Sequence, residues 1–437
     1  MKVRRKKKTG AATKLILPIL GCIFVLFIFA SLFLHFLLDK PTTILRTSEN
    51  NAFKFESHHS RGEKDGSYDL HLNDVSEEDD ESLTKVEISG VKASRISRPI
   101  ETIDTIDNKS LPYDVHKCPS HIPKNYPYAW NILDVLQHWN PDDTEIPSII
   151  HQGLCAIDWR DPKQREIAFH YRKNELPFLI HNHHQIWRTA NRWASYDYIY
   201  KRLGDKTYRN EYSKNNHMMY WKLRNNKKGP VGWNPPTENV ELSFPDWYKK
   251  AEALESNPNP ESAEHFYLRL NGAIGQQPSQ NKNIFLFDDL PFFSPERQSD
   301  IFMVDPTDAR GINCRLGSKG TTAETHYDSS RNFILMLRGQ KRYILAHPSQ
   351  CINMELYPLG HPSARHSRIN WSDPESWLDG ENFQFGMVNE VVLQAGDGLY
   401  LPQSWFHFIV SLSLNYQCNA RSGQTQNYRN HITDCGF

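Results

Sequence analysis

Residues 324–345 read ETHYDSSRNFILMLRGQKRYIL, and their reading decides the fold. His326-Tyr327-Asp328 is an H-x-D, followed fifteen residues after the histidine by Lys341. On a strand, positions i and i+2 project from the same face. An imidazole and a carboxylate can therefore converge on one ion from a single stretch of backbone. A second histidine from another strand would complete a two-His, one-carboxylate face, which leaves positions open on iron(II) for a co-substrate and oxygen. Between the acid and the lysine, residues 332–337 and 342–346 read as two strands joined across Gly339-Gln340. Taken alone, the same letters also describe a polar turn entering an ordinary hairpin, with Lys341 a surface lysine.

Further along, Gly396-Asp397-Gly398 is a strong turn signal. It leads into Leu399-Tyr400-Leu401, a proline, and then Trp405-Phe406-His407. His407 follows His326 by 81 residues, far enough to arrive on a neighbouring strand. By itself it reads as a half-buried histidine of an aromatic belt. Short strands at 312–316, 332–337, 342–346, 390–393, 399–401 and 408–412, at close spacing, predict a sandwich or barrel. The preceding half is mixed. A strand is expected at 175–180 and helices over 187–203, 244–255 and 262–270, with a loop at 225–236.

The ends of the chain differ from its middle. Seven of the 51 Lys and Arg residues precede residue 15, and no acid occurs before Asp39. The remainder therefore holds 44 basic against 51 acidic residues, which argues against a nucleic-acid partner. Residues 15–38 are 24 uncharged, mostly apolar residues, enough to cross a bilayer. A cleaved signal peptide has a shorter apolar stretch and a small-residue cleavage site, whereas Asp39-Lys40-Pro41 follows here. The expectation is a basic cytosolic tail (1–14), a signal anchor (15–38) and a single-pass type II membrane protein. Residues 39–116 are polar and poor in aromatics, with an acidic knot at 77–81, and read as a disordered stem. Tyr126, Tyr128, Trp130 and Trp139 then open a folded region, 117–437, in the lumen of the endoplasmic reticulum or Golgi. Six cysteines lie beyond the span, which suits disulfides in an oxidising compartment and leaves their pairing open. Asn108-Lys109-Ser110 and Asn370-Trp371-Ser372 are sequons usable there. The oligomeric state is not readable.

Asp-Gly-Leu-Tyr-Leu-Pro-x-x-Trp-Phe-His at 397–407, joined with Thr-His-Tyr-Asp at 325–328 and Gly-x-Lys-Arg-Tyr-Ile-Leu at 339–345, resembles the cupin-like, JmjC-related 2-oxoglutarate oxygenases. Among these the pattern is similar to protein hydroxylases such as the asparaginyl hydroxylase that inhibits hypoxia-inducible factor. Leu176-Pro177-Phe178-Leu179-Ile180-His181, Trp187, Trp193, Tyr198 and Leu203-Gly204-Asp205 resemble the family's entry strand and helices. The similarity spans roughly 175–422. It implies a mainly β fold with flanking helices, a double-stranded β-helix (jelly-roll) core at about 310–422 behind the transmembrane helix.

The resemblance implies that His326, Asp328 and His407 hold Fe(II), and that Lys341 pairs with the distal carboxylate of 2-oxoglutarate. A buried carboxylate needs such a charge partner. Asn332 matches a co-substrate-contacting asparagine. Tyr267 stands where the family often has a tyrosine for the same carboxylate, although it also reads as a core helix residue. Asn415 is a further co-substrate candidate, with Asn419 competing. Two positions depart from the family: Ala323 replaces a threonine, with Thr322 or Thr325 as substitutes, and Phe408 follows the second histidine. His181-Asn182-His183-His184 is rich in ligand atoms but sits in a loop-like position, and Arg421 reads as a solvated arginine, with orientation of an acidic substrate as the alternative. The activity implied is hydroxylation of a protein or peptide side chain. A catalytically silent cupin-like scaffold would show a degraded ligand set. A type II glycosyltransferase would want a D-x-D motif, which the folded region lacks.

Overall fold

The computed structural model describes residues 104–105, 111–223, 229–274, 277–293, 303–304 and 311–437. The basic tail, the apolar run 15–38, most of the stem and Asn108 lie outside these residues. Among the described residues no helix is long and apolar enough to cross a membrane.

Strands β1 (Asp104–Thr105) and β3 (Ile149–Ile150) form a small parallel ribbon. A nine-stranded sheet runs β4 (Ala156–Asp158), β5 (Phe178–His181), β15 (Gly398–Leu401), β12 (Arg331–Arg338), β17 (Asn415–Ser422), β10 (Ile312–Gly317), β9 (His265–Gly272), β6 (Thr207–Ser213), β8 (Glu238–Ser243). A six-stranded sheet runs β2 (Trp130–Asn131), β14 (Met387–Gln394), β13 (Gln340–Ala346), β16 (Phe406–Ser411), β11 (Thr322–Tyr327), β7 (His217–Met218). Strands β10 to β17 form the jelly roll expected over 310–422, with β10, β12, β15 and β17 adjacent in the larger sheet and β11, β13, β14 and β16 in the smaller.

Strands β12, β15 and β16 are buried on both faces, which is why they read as nearly continuous apolar runs. The period of two still sorts the side chains. On β12, Phe333, Leu335 and Leu337 pack outward with Trp193, Phe178 and Trp247. Ile334 and Met336 point the other way and meet Tyr343, Leu345 and Ile409 of the smaller sheet. The outer face of that sheet, with Ile344, Phe406 and Phe408, is covered by the helix Ile132–His138 and by Trp371. Full burial of each such side chain contributes about 1.5–3 kcal/mol.

The flanking helices begin where their caps dictate. Asn131, Asp161, Ser195 and Ser243 each accept a backbone N–H of the following helix, about 1 kcal/mol apiece. His183 does the same for His184–Trp193 through its side chain, so the histidine-rich run at 181–184 begins a helix. The helix Tyr196–Leu203 stops at Gly204, whose φ of 61° few other residues adopt.

Several expectations are corrected. Residues 262–270, read as a helix, contain β9, which pairs with β10 and β6. The reason is alternation: Leu268 and Leu270 enter the outer core while Tyr267 and Arg269 face the opposite way. Packing also starts ahead of residue 117, since Leu111, Tyr113 and Val115 are buried. Four of the six cysteines form Cys314–Cys418 and Cys351–Cys435, while Cys118 and Cys155 are buried thiols. At the 370–372 sequon Ser372 is buried, and its N–H donates to Asn370 Oδ1.

Candidate active site

His326 and His407 are direct cross-strand partners on β11 and β16. Facing pairs on neighbouring strands approach closely, and here the ring centroids are 4.3 Å apart. Asp328 lies just past the end of β11. Ligand atoms of the three residues all lie within 4.8 Å of one another, and no other such cluster occurs among the described residues.

The protonation of the site is set by its surroundings. Nδ1 of His326 lies 2.7 Å from the Glu324 carbonyl, and Nδ1 of His407 lies 3.1 Å from the Trp405 carbonyl. With Nδ1–H donating to a carbonyl, the Nε2 lone pair of each ring faces inward, the tautomer a metal requires. Burial pushes the His326 pKa well below the usual histidine value, with His407 and His366 adding to the shift. Burial lowers His407 too, against the opposing pull of Asp328. Both rings are neutral at physiological pH. Asp328 divides its oxygens: Oδ1 accepts from Arg421 Nη1 at 2.8 Å, while Oδ2 is 3.9 Å from His407 Nε2. Asn332 Nδ2 donates to the same Oδ2 at 3.3 Å, and the side-chain amide of Asn419 lies 2.8 Å from Asn332 Oδ1. This donor set of two neutral imidazoles and a braced carboxylate fits a divalent iron with positions left open.

Behind the histidines, Lys341 is fully buried. Its Nζ donates to Tyr267 Oη at 2.6 Å and to Gln417 Oε1 at 3.1 Å. Tyr343 donates to the same Gln417 oxygen at 2.6 Å. Burial pulls the lysine pKa down, and the Tyr267 hydroxyl partly restores it. No carboxylate of the described residues pairs with this ammonium, so the site fits an incoming carboxylate.

His326, Asp328, His407, Asn332 and Tyr267 line one cavity of about 310 Å³. Lys341 reaches it through Tyr267 and Gln417. Asn415 does not: it pairs in register with Gly317, and its Nδ2 donates to Ser413 O at 2.7 Å. Asn419, its competitor, stands on the cavity wall instead. Arg421 keeps a 38% exposed side chain and in addition pairs with Asp328. Ala323 faces the cavity, and neither Thr322 nor Thr325 joins it there, so the missing threonine hydroxyl has no neighbouring substitute.

Sequence reasoning missed Glu211, Arg269, Arg315, Gln417 and His366 on this wall. His366 stacks on His326 at 5.0 Å and 20°, and burial pushes its pKa down to about 4. It arrives from the irregular segment between β13 and β14, where no periodicity marks it. The others follow from the alternation of β6, β9, β10 and β17 once strand order is known.

The cupin-like domain family model matches residues 164–425, more than half of the chain. The Jumonji C domain-containing protein 5 of Drosophila melanogaster is 27% identical over 240 residues, covering 54% of this chain and 51% of that protein. The lysine-specific demethylase JMJ30 of Arabidopsis thaliana is 24% identical over 243 residues, covering 55% and 48%. The tRNA wybutosine-synthesizing protein 5 of Danio rerio is 28% identical over 186 residues, covering 41% and 52%. The chain thus spans about half the length of these curated relatives. With its jelly roll and its His-Asp-His cluster, the chain belongs to the cupin-like, JmjC-related domain family.

Proposed function

We propose that this protein is an Fe(II)- and 2-oxoglutarate-dependent oxygenase that hydroxylates a protein or peptide side chain in the secretory lumen. It would be anchored by residues 15–38 as a type II membrane protein of the endoplasmic reticulum or Golgi. One observation carries the reading: a complete two-imidazole, one-carboxylate cluster lines a cavity whose wall residues Tyr267 and Gln417 hold a buried lysine that has no carboxylate among the described residues. A silent scaffold has no reason to keep both.

His326, Asp328 and His407 would hold the iron, and Lys341 with Tyr267 would receive the distal carboxylate of the co-substrate. When bound, iron with 2-oxoglutarate and oxygen supplies oxidative decarboxylation coupled to hydroxylation of a carbon–hydrogen bond. The chain's own part is positional. The backbone carbonyls of Glu324 and Trp405 fix the two rings, and Arg421 with Asn332 fixes Asp328. The names of the relatives point to lysine side chains and to a tRNA base as targets of those proteins. The acidic surplus of the residues beyond the basic tail favours a protein over a nucleic acid.

The test uses the full chain in detergent. Wild type should retain iron and convert 2-oxoglutarate to succinate, and His326→Ala should do neither. Equally poor iron retention by both would sink the reading. Protease protection of residues beyond 38 in sealed microsomes tests the lumenal placement.

A further inference from the structure

The cavity carries more positive charge than the proposed cofactor and co-substrate consume. Arg269, Arg315, Arg365 and Arg421 line it and Lys341 adjoins it, against two carboxylates, Glu211 and Asp328. An iron(II) ion adds two positive charges and 2-oxoglutarate two negative ones, so the surplus survives loading.

The arrangement of two arginines is costly as it stands. Arg315 on β10 and Arg269 on β9 are direct cross-strand partners on the cavity wall. Like charges facing each other in this way are destabilising. Glu211 pairs directly with Arg269 and reaches Arg315 only as a charge without a direct ion pair, so one carboxylate serves both guanidinium groups. The Arg269 Nε is buried without a partner, and the one hydrogen bond of the Arg315 guanidinium among the described residues goes to the Cys314 carbonyl at 3.3 Å. Burial, then the charge of Arg269, pushes the Arg315 pKa down to about 9.

Their place in the sheet separates them from the lysine pocket while keeping them beside it. Gln417, which accepts from Lys341, is the β17 register partner of Arg315. The row Gln417–Arg315–Arg269 therefore leads away from the co-substrate lysine across one face of the larger sheet.

Building on the oxygenase reading, we propose that this cavity takes a carboxylate-bearing substrate, held by the forked guanidinium groups of Arg315 and Arg269. Planar paired donors match a carboxylate in two-point contact. Glu211 holds Arg269 in place and competes with the arriving anion.

The experiment uses the full chain in detergent, loaded with Mn(II) and N-oxalylglycine so that the lysine pocket is filled. Calorimetric titrations follow with acetylated, amidated Gly-Gly-X-Gly-Gly peptides, X being Asp, Glu, Asn, Gln or Lys. A free C-terminal carboxylate on the Gln peptide and inorganic phosphate are further arms. The Asp or Glu peptide, or the free C-terminal one, should bind about tenfold more tightly than the amidated Asn and Gln peptides. Arg315→Gln and Arg269→Gln should each remove that preference while leaving N-oxalylglycine affinity within about twofold. Glu211→Gln should strengthen the acidic peptide, an outcome independent of whether the arginine variants fold. Equal binding of acidic and neutral peptides, including none by either, overturns the proposal, as does a preference for phosphate over every carboxylate. Loss of N-oxalylglycine binding in Arg315→Gln also overturns it, since the arginine then serves the co-substrate. Failure to take up Mn(II) at all is a separate result that removes the oxygenase reading and this proposal with it.

Discussion

The two ends of the jelly roll are built from the same strands with opposite contents. At the closed end, Met336, Leu393 and Leu399 meet in an apolar layer between the sheets. At the open end, the continuing inward positions of β12, β16 and β17 carry Asn332, His407, Asn419 and Arg421. Each end also buries one aspartate, and these differ in company. Asp328 has Arg421 and an asparagine. Asp397 has only the N–H of Gln394 at 2.7 Å, and burial pushes its pKa up to about 8. The difference teaches that a shared strand period fixes direction, while residue type alone decides whether an inward position supports the fold or the chemistry.

The comparison breaks most sharply at the metal cluster. Asp328→Ala should weaken iron binding by more than about 100-fold, because losses of merely supporting residues already reach 10–100-fold. Its urea midpoint should stay near wild type in metal-free buffer. Leu399→Ala, at the closed end, should do the reverse and cost about 2–5 kcal/mol of stability. Its iron affinity should be unchanged while it remains folded, as read by equilibrium unfolding beside metal titration. Lys341→Met should weaken 2-oxoglutarate binding by roughly 10–100-fold yet leave stability equal or higher, because a desolvated ammonium gives way to an apolar chain of similar length. A lower urea midpoint in this variant would show that the lysine supports the fold.

The smallest effect concerns Asp397. A folded-state pKa raised above the unfolded value means that the folded chain binds the extra proton between those two values. Stability is then fullest below the unfolded pKa and falls as pH rises toward about 8. Asp397→Asn should flatten that decline by about 1 kcal/mol per pH unit between pH 5 and 7. Unfolding curves at three pH values measure it.

The candidate ligands and Lys341 are legible because each sits in a local pattern: an H-x-D, a Pro-x-x-Trp-Phe-His, a glycine turn before the lysine. Tyr267 was assigned to the wrong element because a short aromatic run satisfies helix and strand alike until its partners are known. Asn415 and Asn419 share one face of β17, and only register separates them, since Asn419 pairs with Ile334 beside the ligands and Asn415 with Gly317 at the far end of β10. Arg269, Arg315 and Glu211 come from strands whose order in the sheet no local pattern encodes. Their meeting is a property of topology.

The pairing of His326 with His407 has a consequence for how the protein matures. The partners are 81 residues apart, so no fragment that ends before β16 can hold the metal with all three ligands. During synthesis the last ligand leaves the ribosome after most of the barrel exists, and the loop between the partners must close first. If the proposed oxygenase reading holds, iron capture would therefore report completion of the barrel. A metal that binds only the finished form also pulls the folding equilibrium toward it. In a compartment where iron is scarce, the supply of metal would set how much of this chain survives as folded protein.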